Sequence, residues 1–289
     1  YAVVTNIDRE HMDYYKSLND LKRHFIKFMK NVPSFGKTFI CIDDKNNKKI
    51  YKQIKIKNIL TYGFNKKSNF KIKNTSYFKN KSFFDIEMRL PNKKKKILKK
   101  FEIPLIGSHN IKNATAAIAV SYFIGIPISV LKNSLKDFKG VERRFNKIFS
   151  HNGADIYDDY AHHPTEIKEV IDGVKNSFKE KKITCIFQPH RVSRLNDLKK
   201  DFCLSFKKAN SVILCPVYKA GESIKLKLNY YKFSEQIAKK SNVQVFLVNN
   251  QYELAKFLKQ YLNPENIVIG MGAGSISNWI KELPGLIKK

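Results

Sequence analysis

The chain has 289 residues and a formal net charge of +30, from 55 Lys and Arg against 25 Asp and Glu. Its length suits two domains of ordinary size, and a hydrophobic content of 43% is enough for buried cores and too high for a disordered chain. No apolar run approaches the ~20 residues that cross a bilayer, so no membrane association is expected. No signal-peptide pattern is present, and none of the four cysteines forms a CxxC pair, which argues against zinc and suits a reducing, cytoplasmic setting.

Ala2 to Ile7 reads as a buried strand already under way, so a natural start upstream of Tyr1 is expected. A helix follows, with Leu18, Leu21, Phe25, Phe28 and Met29 on one face. Thr38 to Ile42 and Asn58 to Tyr62 are the next strands. Between Phe64 and Ile103 short alternating runs separated by Asn, Lys and Pro predict an antiparallel meander or small sheet, with the lysines from Lys93 to Lys100 exposed. Helices are expected over Ile111 to Phe123 and Pro127 to Phe138. Gly140 marks the boundary between a first domain, 1–139, and a second, 140–289.

From Phe145 the pattern alternates. Strands are expected at Phe145 to Phe149, Asp155 to Tyr157, Ile183 to Phe187, Ser211 to Cys215, Val243 to Val248 and Asn266 to Ile269. Helices are expected after Pro164, over Leu195 to Lys208, around Phe233 to Ala238, over Gln251 to Tyr261 and over Ile276 to Lys281. Such alternation predicts a Rossmann-like, mostly parallel α/β sheet covered on both faces. The fold class is therefore α/β in two domains, the first carrying an antiparallel β insertion.

The positive charge admits a nucleic-acid-binding reading. The lysines are scattered, however, and no zinc-finger, RNP-like or basic-zipper pattern accompanies them, so a lysine-, asparagine- and isoleucine-heavy proteome explains them as well. Generic polyanion binding is expected, and no specific nucleic-acid partner.

Chemistry concentrates where strands hand over to helices. Asp158-Asp159-Tyr160-Ala161-His162-His163-Pro164 closes one strand and opens a helix, with Pro164 suited to the first turn. GVERRF (Gly140 to Phe145) precedes it, and FQPHRVSR (Phe187 to Arg194) follows the next strand. In open α/β sheets ligands bind at that edge, and helix N-termini favour anions there. Taken alone, each cluster is also readable as a polar loop with a capped helix. Gly270-Met271-Gly272-Ala273-Gly274 resembles a dinucleotide fingerprint, but it closes the domain instead of opening it. A close strand-to-helix turn is its expected role.

Taken together, VTNIDREHMD, GSHNIKNATAA, GVERRF, DDYAHHPTEI, FQPHRVSR and VYKAGE resemble the Mur ligase family. The motifs run in the family's order from Val4 to Glu222, and DDYAHHPTEI with PHRxxR is the most discriminating pair. The resemblance implies a central ATP-binding domain over 1–139 and a family C-terminal domain over 140–289. It implies amide ligation in peptidoglycan precursor synthesis: ATP with Mg²⁺ phosphorylates the lactyl carboxylate of UDP-N-acetylmuramate, and the amine of L-alanine attacks the acyl phosphate. His11 matches a magnesium-ligating histidine, although Glu10 stands where the family usually has Asp. Asn110 and Asn113 match residues that contact adenine. Arg144 matches an arginine that reaches the nucleotide across a domain cleft, and Asp159 a group near the ribose. Tyr160 and His162 match residues lining the amino-acid and acyl-phosphate site, with His163 as a support for the loop. Arg191 and Arg194 match arginines that hold carboxylate or phosphate.

The family's phosphate loop, GTxGKT, does not occur in these residues, nor does its UDP-binding domain or the acidic magnesium ligand ahead of the TNI strand. The chain is therefore expected to be the later part of the central domain plus the C-terminal domain, inactive alone. The alternatives are a Mur-type ligase for another amino acid or peptide, and a basic nucleic-acid-binding α/β protein.

Overall fold

A computed structural model of the chain describes every residue except 55–56, 79, 224–228 and 289. It divides into two compact units, Tyr1–Lys139 and Gly140–Lys289.

The first unit is a six-stranded sheet in sequence order. Strands β1 (Ala2–Val4), β2 (Thr38–Cys41), β3 (Ile59–Gly63) and β4 (Phe70–Phe78) pair in parallel, and β5 (Lys81–Met88) and β6 (Lys96–Ile103) continue antiparallel. The expected antiparallel meander is β4, β5 and β6, and β4 also pairs with β3, so the meander extends the parallel sheet. Helix α1 (Leu18–Lys30) and helix α2 (Lys45–Gln53) cover one face around Val4, Ile40 and Ile50. Helices α3 (Ser108–Phe123) and α4 (Ile128–Lys136) cover the other, around Phe39, Phe70, Phe84 and Phe101. Leu21 and Met29 of α1 are buried as the periodicity requires, while Phe28 is half exposed.

Helix α2 has no apolar stripe and is not legible as a helix. Its asparagines substitute for one. Asp44 caps it by accepting from Asn47 N at 2.7 Å, and Ile50 is buried. Asn46 Nδ2 donates to the Ile7 carbonyl at 2.7 Å, and Asn47 Nδ2 to those of Thr5 and Cys41 at 3.1 and 3.0 Å. Polar side chains are buried here because they satisfy carbonyls at the ends of β1 and β2.

The second unit holds β7 (Asn146–His151), β8 (Ala154–Asp159), α5 (Pro164–Ser177), β9 (Lys182–Phe187), α6 (Val192–Asp197), α7 (Lys199–Phe202) and β10 (Ser211–Leu214). They are followed by α8 (Tyr230–Ser241), β11 (Gln244–Leu247), α9 (Gln251–Tyr261), β12 (Asn266–Met271) and α10 (Ile276–Lys288). The sheet order is β11-β10-β9-β12-β8-β7, parallel except for β7. The central strand β12 is buried along its whole length, which is why it reads as a continuous apolar run.

Two helices differ from expectation. The single helix expected over Leu195 to Lys208 is two short ones followed by turns. Ser241 of α8 engages the backbone just past the second: its hydroxyl donates to the Cys203 carbonyl at 2.7 Å and accepts from Phe206 N at 3.2 Å. Phe202, Cys203 and Phe206 stay buried. Helix α10 runs past Lys281 and through Pro284, because Leu283 and Ile287 continue its buried face. Among the described residues no helix is long and apolar enough to cross a membrane, and all four cysteines are free and buried.

Candidate functional site

In the second unit, β8, β9, β10 and β12 deliver their carboxyl ends to one edge. Strand β8 runs to Asp159, so both carboxylates lie on the strand and the loop proper is Tyr160 to His163. Helix α5 opens with a capping box. Thr165 N donates to His163 Nδ1 at 3.3 Å, and the backbone N of His163 donates to Glu166 Oε2 at 3.3 Å. His163 is thereby a buried cap, in keeping with its expected support of the loop.

His162 is held differently. Its Nδ1 lies 2.9 Å from the Tyr160 carbonyl and 3.3 Å from Glu166 Oε2. A carbonyl only accepts, so Nδ1 carries a proton, and in the neutral form of the ring Nε2 is the basic nitrogen. The His162 ring meets Tyr160 edge-on at 5.1 Å and His190 at 5.8 Å. His190 stacks on Tyr218 at 5.6 Å and lies 3.4 Å from Arg194 Nη1. Arg194 can only donate, so His190 Nδ1 accepts. Partial burial, with cationic neighbours, pushes the His190 imidazolium down to about 4, so this ring is neutral near pH 7.

Arg191 adopts a left-handed backbone, φ 68°, held by its N–H to the Tyr218 carbonyl at 2.8 Å. Its Nε is 3.7 Å from Glu222, which also accepts from Ser193 N and Oγ at 3.1 and 2.5 Å. Tyr160, His162, Arg191 and Arg194 thus gather at one edge, joined by His190, Tyr218 and Glu222. Those last three lie inside the quoted PHRVSR and VYKAGE motifs, but only the contacts give them roles.

Asp159 is engaged with the backbone. It is 2% exposed, and its two oxygens accept from Phe145 N at 2.9 Å and Ala161 N at 2.8 Å. It holds the chain on either side of the site. Desolvation raises its pKa to about 7 against those hydrogen bonds. Arg144 has a half-exposed side chain 3.9 Å from Glu166. The neighbouring Arg143 donates to the Gly272 carbonyl at 2.6 Å and lies 4.6 Å over the Tyr160 ring. The glycine-rich turn is a packing device: a Cβ at Gly270 would meet Ile280 at 2.6 Å, and at Gly272 the Gln188 carbonyl at 2.8 Å.

In the first unit, His11 is exposed, with φ 55°. Among the described residues no group of three His, Cys, Asp or Glu side chains is arranged to hold a metal. An exposed imidazole can give one donor to a Mg²⁺ whose other ligands are water and phosphate oxygens, as that ion prefers. Asn110 is not the cap of α3. Gly107 is, and Asn110 Nδ2 donates to the Ile106 carbonyl at 2.7 Å. Asn113 is exposed on the same helix.

These two α/β units, the second with an arginine- and histidine-lined strand edge, match known families in order. Residues 1–121 match the Mur ligase middle domain, and residues 143–274 match the Mur ligase, glutamate ligase domain. The chain belongs to the Mur ligase family, whose members depend on ATP. It is 58% identical over 287 residues to the UDP-N-acetylmuramate–L-alanine ligase of Pelagibacter ubique, covering 99% of this chain and 62% of that relative. It is 37% identical to the ligase of the same name from Bartonella tribocorum, covering 98% and 60%. The solved UDP-N-acetylmuramate–alanine ligase of Thermotoga maritima superposes with a TM-score of 0.75 at 23% identity, over 99% of this chain and 59% of that one. The MurF ligase of Thermotoga maritima in complex with ADP gives 0.70 at 15%, over 99% and 61%. At those identities the structural likeness is one of fold. The chain spans about three-fifths of the length of the curated relatives it matches.

Proposed function

We propose that the chain is the nucleotide- and amino-acid-handling part of an ATP-dependent ligase that joins L-alanine to UDP-N-acetylmuramate, a step in building peptidoglycan precursors. The observation that carries this reading is the cluster of Tyr160, His162, His190 and Arg194 at one strand edge. Its support is the 58% identity to a relative of that name. The lysines are scattered along the sequence with no nucleic-acid-reading motif, and only generic polyanion binding is proposed.

In this reading Arg191 and Arg194 hold the carboxylate or phosphate oxygens at the reacting centre, for which the planar guanidinium suits. His162, with Nδ1–H tied to Tyr160, presents Nε2 to accept the proton that the attacking amine must lose. Neutral His190 and Tyr160 wall the amine's place and keep it oriented. Asn110 and Asn113 would meet the adenine edge, Arg144 would approach the nucleotide, and His11 would give one donor to a bound Mg²⁺. When bound, the ion would supply charge neutralisation at the phosphates.

The test is L-alanine-dependent phosphate release from ATP by the full-length protein with UDP-N-acetylmuramate. Turnover that needs both substrates is expected. Release that prefers another amino acid or a peptide would move the assignment to another Mur-type ligase.

A further inference from the structure

Arg143, the residue beside the expected nucleotide arginine, meets Tyr160 through both its backbone and its side chain. It sits at φ 58°, a left-handed backbone that a non-glycine residue adopts only when its surroundings impose it. Four contacts do so. Its carbonyl accepts from Tyr160 N at 2.7 Å. Its Nη2 donates to the Gly272 carbonyl at 2.6 Å, at the end of β12. Its Nε forms an ion pair at 3.8 Å with Asp158 Oδ2, a carboxylate oxygen that accepts from Ser277 Oγ at 2.6 Å and belongs to a side chain 1% exposed. Its guanidinium lies 4.6 Å over the Tyr160 ring, closer than that of Arg144 at 5.7 Å.

Tyr160 in turn sets His162, whose Nδ1 lies against the Tyr160 carbonyl. We infer that Arg143 is a positioning residue: it clamps Tyr160 from the main chain and from above the ring, and through it fixes the direction of His162 toward the amino-acid substrate. The inference rests on the ligase reading above. Arg143 acts through Tyr160 and not on the nucleotide, so its loss weakens use of the amino acid and leaves use of ATP alone. A planar guanidinium can stack on the ring and donate sideways to Gly272 at once, and an ammonium cannot do both.

The test uses the full-length protein, with wild type, Arg143→Met, Arg143→Lys, Tyr160→Leu and the Arg143→Met/Tyr160→Leu double variant. Each is checked for a wild-type circular dichroism spectrum and then assayed for kcat/KM toward L-alanine and KM for ATP. Arg143→Met is expected to lower kcat/KM for the amino acid about 10-fold or more, with KM for ATP within about 2-fold of wild type. In the Tyr160→Leu background the same change should add less than about 2-fold, because its effect is already lost. If Arg143→Met does not fold, Arg143→Lys carries the test with the same readouts and a smaller loss. Wild-type kinetics in the single variant, a rise in KM for ATP alone, or losses that multiply in the double variant would each overturn the positioning role. A wild-type protein without L-alanine-dependent turnover would instead overturn the ligase reading.

Discussion

Gly274 is the floor on which the Tyr218 ring rests: a Cβ there would lie 2.5 Å from Tyr218 Cγ. Tyr218 carries the stack with His190, and His190 meets both His162 and Arg194. Gly274→Ala must therefore push the tyrosine ring and tilt the imidazole behind it. The expected result is a fall of about 10-fold or more in kcat/KM, since displacements of ~1 Å at a reacting centre can cost ~10²-fold. Steady-state kinetics with a circular dichroism control checks this.

Arg194→Lys keeps the charge and removes the fork. A lysine cannot span His190 Nδ1 and the His190 carbonyl, 3.4 and 3.5 Å from Arg194 Nη1, while holding an anion bidentately. A loss of ~10²-fold in kcat/KM is expected, by analogy with removal of one transition-state donor. Kinetics of the lysine variant equal to wild type would remove Arg194 from the anion-holding role.

Asp159 gives a pH signature. Its carboxyl titrates near 3.8 as a free side chain and at about 7 in the fold, because burial disfavours the charge. Between those values the folded state binds the proton more tightly than the unfolded one. The contribution to stability is therefore full below pH 4, falls as pH rises through 7, and is level above. Asp159→Asn removes the titration and also sets an N–H against one of the backbone N–H groups of Phe145 and Ala161. Urea midpoints of wild type and variant from pH 4.5 to 8 should show the wild-type advantage shrinking as pH rises, and a constant difference would contradict the raised pKa.

Ser241→Ala tests the contact just past α7. The hydroxyl satisfies a buried carbonyl and a buried N–H together, and alanine leaves both without it. A loss of about 1–3 kcal/mol is expected, read as a lower urea midpoint with an unchanged slope.

Much of this architecture is legible because burial and periodicity agree. Helix α5 shows Ile167, Val170, Ile171 and Val174 at helical spacing behind Pro164, and all four are buried. Where side-chain hydrogen bonding replaces hydrophobic patterning, legibility ends. Helix α2 is anchored by Asn46 and Asn47, and the backbone just past α7 is engaged by a serine far along the chain. The site divides the same way. Tyr160, His162, Arg191 and Arg194 stand out because they crowd one motif or its neighbour. Arg143 does not, because its partner Gly272 lies 129 residues away and nothing local announces the contact. Asp159 reads as a ligand-facing acid because it sits at a strand end, and only the fold shows both oxygens turned to the backbone.

The exposed lysines of β6 have a use unrelated to any ligand. β6 closes one side of the first unit's sheet, so its outer row of N–H and C=O groups is a template on which another chain could add a strand. Lys96, Lys99 and Lys100 stand along that border, Lys100 is twisted to φ 62°, and the β5–β6 register slips between Phe84 and Ile86. Charge and irregularity there discourage edge-to-edge growth, which makes part of the basic composition a guard against aggregation.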